Sequence, residues 1–196
     1  MKRILLCICI FFPFLLCAQS KDDLSERALE LCQYIPDHVL KPEAEDYMTP
    51  EFYRALSEAF DAPVTDYGEI GDNEWLWYFV TGNGGSEPVY SVKSVNHTAK
   101  DKAQATIIVR QSWEGTVYPE ETPKEYEIDL KKVDGKWLLH DFDGKKAECN
   151  QYVHQMRGKY KSGELLRYLE SEDYFKQYIP DFTKRVDEFY RKYGKE

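Results

Sequence analysis

The strongest structural signal in the sequence is residues 126–142, YEIDLKKVDGKWLLHDF. Apolar and polar side chains alternate on both sides of Asp134-Gly135, which is a preferred dipeptide for a two-residue hairpin turn. The alternation is typical of strands with one buried face. The segment therefore predicts two antiparallel strands, Tyr126–Val133 and Trp137–Phe142, joined by a tight turn.

The turn also fixes a register for this hairpin. If Val133 pairs with Lys136, counting back places Leu130 opposite Leu139. The same count places Asp129 opposite His140 and Ile128 opposite Asp141. One face of the hairpin is then almost wholly apolar, and its predicted members are Ile128, Leu130, Trp137, Leu139 and Asp141.

Three polar residues of the hairpin are the candidate catalytic residues. Asp141 is a carboxylate on the predicted apolar face, where burial would raise its pKa toward the range useful for a general base. The alternative is an acid at a solvated strand end. His140 opposite Asp129 has the residue types of an acid–base pair, and the alternative is an exposed cross-strand contact.

Outward from the hairpin, two patterns alternate along the chain. Period-two alternation predicts further strands at Val89–Asn96 and Ala105–Trp113, and an aromatic run predicts one at Trp75–Val80. Helical spacing predicts a helix at Asp22–Ile35 and a second that begins at Thr49-Pro50-Glu51, where threonine caps and proline fits the first turn. Helical spacing returns after Gly144. The order predicts an α+β fold with N-terminal helices packed on an antiparallel sheet.

Two short motifs carry a family resemblance. The helix start Tyr47-Met48-Thr49-Pro50-Glu51-Phe52-Tyr53 and the hairpin Val133-Asp134-Gly135-Lys136-Trp137-Leu138-Leu139 resemble the nuclear transport factor 2-like superfamily, and in particular a secreted bacterial branch. The resemblance covers about Leu24–Phe142 and implies a curved, cone-like sheet around helices. A homodimer through the sheet is an option that the superfamily implies, although no residue here demands it.

The segments outside this resemblance complete the predicted organisation. Residues 1–18 have the basic start, apolar run and final Ala18 of a cleaved signal peptide. Residues 19–144 form the cone-like domain, and residues 145–196 form a helical extension packed on it. We expect export to the periplasm or the medium without stable membrane insertion. Lipid attachment at Cys17 is the less favoured alternative, because Leu16 is large.

Charge and cysteine content agree with an exported protein. The formal charge of −9 becomes about −11 once Lys2 and Arg3 leave with the signal peptide, which disfavours nucleic acid as a partner. Only Cys32 and Cys149 then remain. An even pair in an exported protein predicts one disulfide, and two buried free thiols are the alternative.

The remaining candidate site residues are aromatic. Tyr53, Trp75, Trp77, Tyr78 and Trp113 offer large contact areas for a ligand, with plain core packing as the alternative. No nucleophile, phosphate-loop, dinucleotide or zinc motif is present, so we expect no cofactor and no metal. The preferred prediction for the function is that the chain is an exported, non-catalytic protein that binds a small molecule, peptide or glycan. The alternatives are a cell-envelope protein-binding or inhibitor module, and a small isomerase or dehydratase that uses Asp141.

Overall fold

An antiparallel sheet packs against helices in the computed structural model, which describes residues 21–38, 42–62, 87–117, 122–171 and 173–193. The predicted α+β class is confirmed. In chain order the elements are α1 (Lys21–His38), a 3-10 helix (Pro42–Asp46), α2 (Pro50–Asp61), β1 (Glu87–Ala99), β2 (Lys102–Trp113), β3 (Thr116–Val117), β4 (Lys124–Val133), β5 (Lys136–Phe142), α3 (Lys145–Lys161), α4 (Glu164–Ser171), α5 (Asp173–Lys176) and α6 (Ile179–Tyr193). The strand predicted at Trp75–Val80 lies outside the described residues.

The sheet follows the predicted strands closely. Its described strands are arranged in the order β1-β2-β4-β5, and the short β3 pairs with the end of β2. Asp134 and Gly135 have φ values of 49° and 84°, as a type I′ hairpin turn requires. The short β3 was not predicted, because two residues show no periodicity. The cone-like curvature of the sheet stays a prediction.

The hairpin register is confirmed near the turn and wrong beyond it. Leu130 lies opposite Leu139 as predicted, but Asp129 then lies opposite Asp141 because the register shifts by one residue. The extra residue on β5 is His140, so the strand carries a β-bulge. Phe142, which is fully buried, takes the place opposite Ile128 that was predicted for Asp141.

The main core lies where α1 and α2 cover one face of the sheet. Its fully buried side chains include Phe52 of α2, Ile107 of β2 and Phe142 of β5. The edge of β5 is covered as well, since the Leu139 N–H donates to the carbonyl of Tyr47 at 2.8 Å. The Leu139 carbonyl in turn accepts from the Thr49 N–H at 2.9 Å, so both ladder groups of Leu139 are paired at this edge.

The C-terminal helices join the main core through α3 and α6. Cys149 and Val153 of α3 lie in the main core, whereas Met156 packs in a second cluster built around α4 and α6. A charged contact reinforces the junction with α2. Glu58 accepts from Arg54 at 2.5 Å and faces Arg157 of α3 at 3.8 Å, and its side chain is only 10% exposed.

The predicted disulfide between Cys32 and Cys149 is not present. Both residues are buried free thiols. Cys32 lies on α1, which packs mainly on β1 and β5, and Cys149 lies on α3, which packs mainly on α2. Burial raises the pKa of each thiol to about 12, so neither has the thiolate character that disulfide exchange requires.

Candidate functional site

A cleft of about 660 Å³ opens where four segments meet at one end of the sheet. Arg27 comes from α1, Tyr47 follows the 3-10 helix, Lys100 lies in the β1–β2 turn, and Trp137 lies just after the β4–β5 turn. These residues are far apart in sequence, and the sheet brings their segments together. The volume falls in the range usual for small-molecule sites.

Aromatic rings form the base of the cleft. The Trp137 indole lies 5.6 Å from the His97 ring, measured between centroids, and the Lys132 ammonium lies 5.6 Å from the same indole. On the wall that follows the 3-10 helix, Tyr47 stacks on Tyr34, with centroids 3.5 Å apart and planes within 5°. Partly buried rings held by neighbours lose little entropy when a ligand packs on them.

Arg27 fixes the relative positions of these walls. Its Nε donates to the Trp137 carbonyl at 3.0 Å, and its Nη2 donates to the Asp46 carbonyl at 3.1 Å. The guanidinium carbon lies 5.4 Å from the Tyr47 ring, and Nη1 pairs with Glu30 at 2.7 Å. One side chain therefore ties α1 to both the 3-10 helix and β5. The rigid fork of arginine is suited to this bridging role.

The charge of the cleft differs from that of the chain. Its described lining contains the cations Arg27, Lys100, Lys132 and Lys136 but only one carboxylate, Asp46. Asp46 pairs with Lys136 at 3.2 Å. The chain as a whole carries a formal charge of −9, so the cleft is a locally basic site on an acidic protein.

His140 is held on both ring nitrogens by other residues. Lys146 Nζ lies 2.8 Å from Nε2, and Thr49 Oγ1 lies 3.0 Å from Nδ1. An ammonium group only donates, so Nε2 accepts and the Nδ1–H donates to Thr49. Burial lowers the pKa of His140, and the charges of Lys146 and Lys131 lower it further. The ring is thus a neutral link between α2, β5 and α3.

The predicted pairing of His140 with Asp129 is wrong, because the bulge turns His140 toward Thr49 and Lys146. Asp141 now lies opposite Asp129, and its side chain is partly exposed instead of lining the core. Asp141 Oδ1 accepts from the backbone N–H of Phe142 at 2.8 Å and of Lys146 at 2.9 Å. This carboxylate therefore caps the first turn of α3.

The predicted aromatic residues do not form this site. Trp75, Trp77 and Tyr78 lie outside the described residues. Tyr53 packs against the main core from α2, and Trp113 is 47% exposed at the end of β2. Neither Tyr53 nor Trp113 lines the cleft.

Sequence reasoning missed most of the cleft residues. Arg27 and Lys100 were not among the predicted site residues, because a single charge on a helix or in a turn carries no local signal of a site. Trp137 was predicted on the apolar face of the hairpin, but its indole is only partly buried and reaches the cleft. The available signal was the position of Trp137 beside a hairpin turn that is flanked by Lys132 and Lys136.

Two features are absent from the described ranges: a cluster of metal-binding side chains and a membrane-spanning helix. No group of three histidine, cysteine or acidic side chains there is placed to hold a metal ion. None of the helices described is both long enough and apolar enough to span a bilayer.

Comparison with known proteins adds no assignment. Neither the scan of family models nor the search of curated proteins returns a match for this chain. The resemblance to the nuclear transport factor 2-like superfamily therefore stays a prediction, and function is argued from the cleft itself.

Proposed function

We propose that this protein is an exported binding protein that holds a small ligand in the cleft around Trp137. The observation that carries the proposal is that aromatic rings and cationic side chains line the same cleft, whose walls Arg27 connects. Arg27 bonds to backbone on both sides of the cleft, so its walls are set before a ligand arrives. Preorganised walls reduce the entropy that binding would otherwise cost.

Binding fits this cleft better than catalysis. His97, the histidine of the described lining, is exposed and has no carboxylate partner among the described residues to orient its ring, and the carboxylate of Asp46 is paired with Lys136. The earlier acid–base candidates also have structural partners, since His140 is held by Thr49 and Lys146, and Asp141 caps α3. A general base needs a nitrogen or oxygen that reaches the substrate.

Export remains part of the proposal through residues 1–18, whose pattern predicts a cleaved signal peptide. A preformed cleft of this size is suited to holding a small molecule that the exported protein meets.

Native mass spectrometry tests the proposed function. Protein purified after residue 18 is incubated with an extract of the producing cells and their medium, and the retained mass is measured. We expect a small molecule to be retained by the unmodified protein, lost in Trp137→Leu and kept in Trp113→Leu. Trp113 lies at the far end of β2, eleven residues from Lys102 and thus roughly 35 Å along the strand.

The Trp137→Leu and Trp113→Leu variants distinguish binding in the cleft from binding at the exposed end of β2. Thermal unfolding first verifies that both variants fold. Retention by Trp137→Leu and loss in Trp113→Leu would place the ligand at the exposed end of β2 and contradict the cleft. A chain that retains no compound from any fraction would contradict the binding function.

A further inference from the structure

We infer that the ligand of this cleft is a small organic anion, with one or two negative charges attached to a flat or apolar body. The inference rests on the proposed binding function and adds the chemical class. The charged group is a carboxylate or a phosphate ester, since lysine binds either anion as a point charge.

The first step is to ask which cations of the cleft already have an acidic partner. Arg27 pairs with Glu30 at 2.7 Å, and Lys136 pairs with Asp46 at 3.2 Å. Lys100 and Lys132 remain. In the part of the chain that the structure describes, no carboxylate lies within ion-pair distance of either lysine.

The second step is the position of these two lysines. The backbone N–H of Lys132 donates to the Asp101 carbonyl at 2.8 Å, which holds the β1–β2 turn beside the end of β4. Lys100 in the β1–β2 turn and Lys132 near the end of β4 therefore border the same cleft. Asp101 lies in the same turn as Lys100, but it does not line the cleft.

The third step joins the charge to the aromatic base. The Lys132 ammonium lies 5.6 Å from the centroid of the Trp137 ring. A ligand whose body packs on Trp137 thus places a substituent within reach of Lys132. A neutral aromatic ligand would give neither lysine an anionic partner. An inorganic anion would make no packing contact with the Trp137 indole.

The fourth step limits the total charge. The chain carries a formal charge of −9, so a polyanion that extends beyond the cleft would meet repulsion from the remaining surface. Charges farther away than about 8–10 Å are largely screened at physiological salt. A small anion therefore experiences the two lysines and little of the distant acidic surface.

Protein NMR with simple probes tests this inference. Benzoate and phenyl phosphate combine a ring with a charge, benzyl alcohol is a neutral ring, and inorganic phosphate lacks a ring. The indole N–H signal of Trp137, assigned with Trp137→Leu, reports on the base of the cleft. We expect saturable shifts with the two ring anions, and binding about tenfold weaker or worse for the other two probes.

A charge-matched pair of variants completes the test. Lys100→Gln combined with Lys132→Gln is expected to weaken benzoate binding about tenfold. Lys124→Gln combined with Lys184→Gln removes the same charge from exposed positions on β4 and α6 outside the cleft, and we expect unchanged affinity.

Several results would overturn the inference. They are equal binding of benzyl alcohol and benzoate, full affinity in the Lys100 and Lys132 double variant, or no saturable shift with either ring anion. The proposed function is judged separately, because capture from the extract does not depend on charge. A neutral compound captured in the cleft would refute the anion class and leave the binding function intact.

Discussion

Replacing Asp141 with alanine tests whether this residue supports the fold or performs chemistry. The helix α3 begins after Gly144, which has a φ of 79° and no side chain to cap the helix. Asp141 supplies that cap from three residues upstream, because its Oδ1 accepts from the N–H of Lys146 at 2.9 Å and of Phe142 at 2.8 Å.

The size of the effect follows from these contacts. Loss of a capping side chain costs about 1 kcal/mol, and a hydrogen bond to a charged acceptor contributes about 1.5 kcal/mol or more. The carboxylate also faces the positive end of the α3 dipole, while the opposing Asp129 carboxylate subtracts from the gain. We expect Asp141→Ala to lower the free energy of unfolding by about 2 kcal/mol in total.

Urea titration followed by circular dichroism measures this change, and the melting temperature should fall by roughly 6 °C for a domain of this size. Asp141→Asn keeps an oxygen acceptor, so we expect about half the loss. Asp129→Ala is the matched control on the opposite strand. It removes an exposed carboxylate and the repulsion with Asp141, so stability should stay equal or rise slightly. Wild-type stability in Asp141→Ala would refute the capping argument and return Asp141 to the list of catalytic candidates.

Three further predictions concern other contacts. The pKa of His140 is lowered in the folded state, so protonation favours the unfolded chain. Stability should therefore be full above about pH 6.5 and fall as the pH drops from there toward the native pKa. His140→Gln should remove this component from unfolding curves recorded across that window, and an unchanged pH profile would contradict the Thr49–His140–Lys146 link. Glu58→Gln weakens the contact of α2 with α3 and should cost about 2 kcal/mol, with faster amide exchange in α3 than in β2; uniform exchange would contradict a local effect. Cys32 and Cys149 should react with Ellman's reagent only after unfolding, and a non-reduced protein whose mass rises by about two hydrogens on reduction would show a disulfide instead.

Periodicity and turn chemistry predicted much of the fold. The strands around Ile107 and Ile128, the Asp134-Gly135 turn and the Thr49 cap of α2 all depend on residues close together in sequence, and each is confirmed. Local rules work here because backbone conformation and side-chain alternation are set within a few residues.

The candidate site was less predictable, and the bulge at His140 shows why. Counting from the turn assumes an unbroken ladder, but the ring of His140 is held by Thr49, ninety-one residues away in sequence, and by Lys146 of α3. These contacts insert one residue into β5 and turn Asp141 out of the apolar face. No count within the hairpin contains that information.

The sequence by itself determined the α+β class, the hairpin and the alternation that separates a buried sheet face from a polar one. Tertiary structure alone decided that Cys32 and Cys149 stay free thiols, that Asp141 caps a helix, and that Arg27, Lys100 and Trp137 share a cleft. The physical reason is the range of the interactions involved. Strands and turns follow from neighbouring residues, whereas a cleft requires segments brought together by the packing of helices on the sheet.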